Sequence, residues 1–172
     1  MKLPIRVLLT AVAASSMLVA CTGKKVKPDQ TTTDSGGGTT TQGSTSGKKY
    51  TPGDLDTDSC LRQRVVYFDF DRSEIRPEFQ AAVACHADYL RQYPSARVTL
   101  EGNADERGTR EYNTALGERR GNAVSSAVGA AGASSSQLNV VSYGEERPVC
   151  KEHGEGCWQK NRRVEIVYTS KQ

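Results

Sequence analysis

The sequence predicts an α+β domain of order βαβαββ, a small mixed sheet with two helices packed on one face, preceded by a disordered tether. Three observations carry this reading. Strand-like and helix-like stretches alternate along the second half of the chain, and the final strand follows a loop rather than a third long helix. That order gathers the helices on one side of a sheet, unlike a doubly wound nucleotide fold, and GEERP at 144–148 reads as a turn, not a phosphate loop. Finally, 36% hydrophobic and 6% aromatic content is lean for 172 residues, so part of the chain stays unpacked.

The elements follow in order. Lys2 and Arg6 precede the short apolar run VLLTAVAASSMLVA, which ends at Cys21. That run is too short to span a hydrocarbon layer of about 30 Å and reads as a signal peptide over residues 1–20. The residues LVAC resemble the lipobox of bacterial lipoproteins, a likeness that implies cleavage before Cys21 and acylation of its thiol. In the sorting pattern of such proteins Asp after the cysteine favours the inner membrane. Here the residue is Thr22, which implies a lipid anchor in the outer membrane and a domain facing the periplasm. Residues 21–57 are rich in Thr, Gly and Ser and nearly free of large apolar side chains, so burial cannot offset the entropy of ordering them. A chain of about 35 such residues has a typical end-to-end distance of roughly 30–35 Å.

The folded domain is expected over 58–172. VVYFDF (65–70) is β-branched and aromatic and runs into the polar turn DRSEIRP, which makes it the first strand. Residues 77–94 form the first helix. Pro77 sits at a favourable start, Phe79, Val83, His86 and Leu90 share one stripe, and Pro94 marks the stop. His86 on that stripe reads as a core-edge histidine rather than a ligand. In ARVTLEG (96–102) Val98 and Leu100 share a face, NADERGT is a polar loop, and a second helix runs from Arg110 to Ala130. QLNVVSYG (137–144) is the third strand and NRRVEIVYT (161–169) the fourth, with Val164, Ile166 and Tyr168 alternating.

Acidic and basic residues nearly balance, for a formal charge of +3 without a block of one sign, which argues against nucleic acid as a partner. Apart from Cys21 the cysteines are Cys60, Cys85, Cys150 and Cys157, an even number for an exported, oxidising compartment. Of three possible pairings, Cys150 with Cys157 closes a short loop and leaves Cys60 for Cys85. Cys150, His153 and Cys157 are also spaced like zinc ligands, without an evident fourth. No cofactor is called for.

Leu116, Arg120, Val124 and Val128 advance by four along the second helix, so Arg120 lies on an apolar stripe. A guanidinium there cannot shed its proton and needs a partner. It either snorkels to water, or pairs with a structural carboxylate such as Glu101 or Glu165, or serves a ligand. Asp105 lies just beyond the strand that leads into this helix, where sites are commonly built. It reads either as a capping or loop-closing acid or as half of a site. An acid and an arginine that do not neutralise each other suit a zwitterion, the acid taking an ammonium and the arginine a carboxylate. A hydrolase using Glu101, Asp105 or Glu106 as acid and base is the enzymatic alternative, but neither a nucleophile elbow nor a metal motif accompanies them. A protein-binding adaptor is the other.

The segments VVYFDFDRSEIRP, VTLEGNADERGTREYNTALGERRGNAV, VVSYGEERP and NRRVEIVY resemble the OmpA-like peptidoglycan-binding domain, and the leader, LVAC and tether resemble the layout of its lipid-anchored members. The resemblance covers about residues 60–169. It implies non-covalent binding of the diaminopimelate residue of the peptidoglycan stem peptide, with Asp105 on its ammonium and Arg120 on its carboxylate. It implies further that Phe70 and Asp71 meet the ligand, that Asn113 and Leu116 line the pocket, and that Arg163 supports it. As partners it implies the Tol proteins, above all TolB, and a role in envelope integrity and cell division, with no catalysis. Two residues depart from the family pattern: Asn103 replaces the usual His that supports the pocket from behind, and Gly121 stands where Ala is usual.

Overall fold

A computed structural model describes residues 48–172. The expected signal peptide, the expected acylation site at Cys21 and the expected tether up to residue 47 lie outside the described residues.

The first described residues already belong to the packed body, ahead of the expected start at Asp58. Tyr50 and Leu55 are buried in the same core as the strands, and a single-turn helix α1 (Asp54–Thr57) carries Leu55 inward. The Tyr50 amide donates to the Gln92 side chain at 2.8 Å, and its carbonyl accepts from Tyr93 Oη at 2.7 Å. Two apolar side chains in a polar run leave no periodic signal, so sequence alone placed the boundary later.

Four strands, β1 (Val65–Tyr67), β2 (Arg97–Asn103), β3 (Leu138–Gly144) and β4 (Arg163–Ser170), form one mixed sheet in the order β1-β4-β2-β3. Strand β4 runs antiparallel to both β1 and β2, while β2 and β3 are parallel. The C-terminal ends of β1, β2 and β3 therefore meet at one edge, beside the N-terminal end of β4. Strand β1 is shorter than VVYFDF suggests: Phe68 keeps the register, its amide donating to the Arg162 carbonyl at 2.9 Å and its side chain buried like that of Val66, but the chain then turns at Asp69, whose carbonyl accepts from the Arg72 amide at 3.2 Å.

Helix α2 (Gln80–Gln92) follows a 3₁₀ turn at Pro77–Phe79 and buries the expected stripe of Phe79, Val83, His86 and Leu90. Its end is closed by Gln137, whose amide donates to the carbonyls of Leu90, Tyr93 and Ala96. That role removes Gln137 from the strand expected at 137–144. Helix α3 (Arg110–Ala130) is capped by Thr109, whose hydroxyl accepts from the Tyr112 amide, and it buries Leu116, Arg120, Val124 and Val128. Glycines bring α3 unusually close to the sheet. A Cβ on Gly102 would overlap the Gly117 carbonyl oxygen, and one on Gly121 would lie 2.6 Å from Val140 Cγ1. Gly121 thus weakens the helix intrinsically, by about 1 kcal/mol relative to Ala, but makes room for Val140.

A fourth helix, α4 (Glu155–Asn161), interrupts the expected loop between β3 and β4. With two full turns at most and no apolar stripe, it gives little periodic signal. Both expected disulfides are present, Cys60–Cys85 and Cys150–Cys157. The second consumes two of the three zinc-like residues, and His153 instead bonds Glu106 at 2.5 Å. His86 is structural, as expected: it is fully buried, with Nδ1 at 3.0 Å from Tyr168 Oη and Nε2 at 3.2 Å from the Gln63 carbonyl.

Candidate functional site

Where the strand ends converge, a cavity of about 210 Å³ is lined by Phe70, Asp71, Asp105, Arg107, Gly108, Tyr112, Asn113, Leu116 and Arg120. All six residues expected to meet the ligand are among them. A wider cleft of about 480 Å³ lies elsewhere, against Tyr50 and Tyr93. It carries Lys48, Lys49 and Arg91 against one acid, Asp88, whereas the smaller cavity balances two carboxylates with two guanidinium groups.

The turn after β1 supplies Phe70 and Asp71. Asp71 holds the left-handed conformation with φ 55°, which Asp tolerates better than most residues, and its carboxylate accepts from Tyr112 Oη. The loop after β2 supplies Asp105, Arg107 and Gly108, and the first turns of α3 supply the rest. Asn113 is buried and donates from its amide to Glu145.

Arg120 is wholly buried, so it does not snorkel. Among the described residues no carboxylate lies within ion-pair distance of it, and the two structural candidates are engaged elsewhere, Glu101 with Arg147 and Glu165 with Arg163. Its Nε donates to the Arg72 carbonyl at 2.8 Å, Nη1 to Asn103 at 2.9 Å and Nη2 to Asp69 at 3.1 Å. These bonds pin the turn after β1 to the end of β2 and use three of five N–H groups. Burial pulls its pKa down to about 10, against the opposing field of Asp105, so the group stays cationic at neutral pH with no bonded anion.

Asp105 is also buried and does not bond Arg120. Its Oδ1 accepts from the Arg107 amide at 3.1 Å and from Arg107 Nε at 3.0 Å, while Oδ2 accepts from Arg107 Nη2 at 2.7 Å and Arg162 Nη1 at 3.2 Å. Burial acts to raise its pKa, but the Arg107 and Arg162 bonds outweigh that and hold the carboxyl below its usual value.

Sequence reasoning missed Arg107, Tyr112 and Gly108 in the lining, and Arg162 behind it. Arg163, expected as support, reaches Glu165, Asn161 and Arg147 instead and does not touch the cavity. Its neighbour Arg162 takes that part, also donating from Nε to the Phe68 carbonyl at 3.0 Å and from Nη2 to Glu155 at 2.5 Å. Asn103 backs the cavity through its carbonyl on Arg120. Its side-chain amide donates to the Glu101 carbonyl at 2.9 Å, and its buried Oδ1 has no partner among the described residues. Helix α4 contributes Trp158, whose ring lies 4.2 Å from the Arg107 guanidinium, and the ring of Phe70 lies 4.0 Å from the same group.

Residues 67–162 match the OmpA family model, a span that contains every residue lining the cavity. The chain belongs to the OmpA family. Among its relatives, the peptidoglycan-associated lipoprotein of Pseudomonas putida is 50% identical over 115 residues, 66% of this chain and 69% of that protein. The protein of the same name from Legionella pneumophila is 38% identical over 160 residues, 91% of each chain. The crystal structure of the peptidoglycan-associated lipoprotein from Burkholderia pseudomallei superposes with a TM-score of 0.67 at 43% identity, covering 69% of this chain and all of that one. The C-terminal domain of Helicobacter pylori MotB shares the fold, with a TM-score of 0.56 at 20% identity.

Proposed function

We propose that this chain binds peptidoglycan without catalysis, receiving the free amino-acid end of a diaminopimelate stem peptide in the cavity between Asp105 and Arg120. The relatives' name supports the wall as target. The observation that carries the ligand assignment is a buried, cationic Arg120 bonded only to carbonyls beside a cavity it shares with two carboxylates. Such a group gains most from a ligand carboxylate, at about 1.5–3 kcal/mol per charge-assisted bond. With acyl chains on Cys21 as the second attachment, the chain tethers the outer membrane to the wall, and the Tol proteins, TolB first, are its partners in envelope integrity and division. One small ligand per pocket gives modest affinity, and many copies on one wall raise retention.

Hydrolysis is the weaker reading, since a glycosidic acid needs a raised pKa and both Asp105 and Glu106 are shifted down. The adaptor reading draws on the four bonds that already occupy Asp105. Incubation with purified sacculi tests both. Wild type should sediment with intact sacculi, and Asp105→Ala or Arg120→Ala should stay in solution while remaining folded. Either variant binding as well as wild type would place the wall site elsewhere, and release of soluble wall fragments would favour the hydrolase.

A further inference from the structure

A carboxylate accepts about four hydrogen bonds, two at each oxygen, and Asp105 makes four. A ligand ammonium can therefore reach it only by displacing a bond already made. The two arginines differ in how readily they yield. The Arg162 side chain is 4% exposed and locked by Phe68 and Glu155. The Arg107 side chain is 30% exposed, lines the cavity, and is held elsewhere by two ring faces and by Glu155 at 3.5 Å. Ring faces attract a cation without fixing its rotation, so Arg107 is the partner that can turn away.

We propose that Arg107 is a specificity-determining residue, which surrenders Asp105 only to a ligand bearing a carboxylate beside its ammonium. This rests on the assignment of the cavity to an amino-acid end. When such a ligand enters, its ammonium replaces the Arg107 side chain on Asp105, and the freed guanidinium, still against the rings of Phe70 and Trp158, pairs with the ligand carboxylate alongside Arg120. One internal ion pair becomes two intermolecular ones, and no charge is stranded. A ligand with only an ammonium breaks the same pair and leaves Arg107 without the carboxylate it lost. A partly buried cation makes that exchange unfavourable. Arg107 thus adds selection against bare amines to whatever Arg120 provides.

The test compares two ligands that differ only in the distal carboxylate, Nα-acetyl-diaminopimelate and Nα-acetyl-lysine, by calorimetry on the whole chain. Wild type should prefer the first. In Arg107→Gln the preference should shrink by about tenfold, chiefly because Nα-acetyl-lysine binds more tightly. Trp158→Ala, which removes one ring face and leaves both charges in place, should shift the preference in the same direction by a smaller factor and serves if Arg107→Gln unfolds. Unchanged or weaker Nα-acetyl-lysine binding in the folded variants would overturn the proposal. Wild type binding neither ligand through Asp105 would instead bring down the assignment of the cavity itself.

Discussion

Replacing Arg120 by Met keeps an unbranched apolar stem in the stripe of α3 and removes the guanidinium alone. Three of its five N–H groups serve the carbonyls of Asp69, Arg72 and Asn103, which leaves two for a ligand carboxylate. Two charge-assisted bonds at about 1.5–3 kcal/mol each amount to roughly 3–6 kcal/mol. At about 1.4 kcal/mol per tenfold, affinity for Nα-acetyl-diaminopimelate should fall by roughly 10²- to 10⁴-fold. Stability should fall much less, because the turn at 69–72 is mostly exposed and water can take over part of its bonding. Calorimetry gives the first quantity and urea unfolding the second. Binding by Arg120→Met within about threefold of wild type, with the fold intact, would mean that Arg120 does not hold the ligand carboxylate and that another group of the lining, such as Arg107, carries it alone.

Three further outcomes follow from the packing. Burial holds His86 down at about 4 from its ordinary 6.5, so its contribution to stability is complete above pH 6.5 and is lost as the pH falls towards 4. The loss amounts to about 3 kcal/mol, and unfolding titrations should find that slope flattened in His86→Gln; an unchanged slope would assign it to other groups. The Cys60–Cys85 bridge closes 25 residues and Cys150–Cys157 only 7, so loop entropy predicts losses of about 3.5 and 2.4 kcal/mol when each pair becomes serine. Equal losses measured by urea unfolding would contradict that ordering. Gly102→Ala should cost about 3 kcal/mol or more and weaken ligand binding, because the new methyl would meet the Gly117 backbone and push α3 with Arg120 off the sheet. Gly129→Ala, with nothing within 4 Å of the added carbon, should stabilise by up to about 1 kcal/mol. Equal effects in the same denaturation assay would deny the close approach.

The frame of this domain was legible because its long elements are periodic. The bounds of α3 coincide with the expected Arg110–Ala130, and the stripe from Leu116 to Val128 exposed Arg120 as a charge out of place. Asp105 and the residues around it came together through likeness to the family, not from spacing. What escaped is contact between segments far apart in the chain. Arg107 draws no attention in NADERGT until Trp158 and Phe70 close on it, and Trp158 comes from a helix too short to announce itself. Arg162 and Arg163 could not be told apart without the register of β4, since neighbours in a strand face opposite ways and a shift of one residue exchanges their roles. In the structure Arg163 stands opposite Tyr67, and Arg162, just before the strand, reaches Asp105. Tyr50 and Leu55 were invisible for the same reason: the core they join is built by residues that follow them.

The proposed binding of an amino-acid end by opposed charges in one cavity has a direct readout. Backbone amide shifts of the labelled chain, followed during titration with Nα-acetyl-diaminopimelate, locate the ligand residue by residue. The largest changes should fall at Phe70, Asp71, Asp105–Gly108 and Tyr112–Leu116 and vanish in Asp105→Ala. Saturable changes centred on the cleft beside Tyr50, or none at all at millimolar ligand, would contradict the proposed binding.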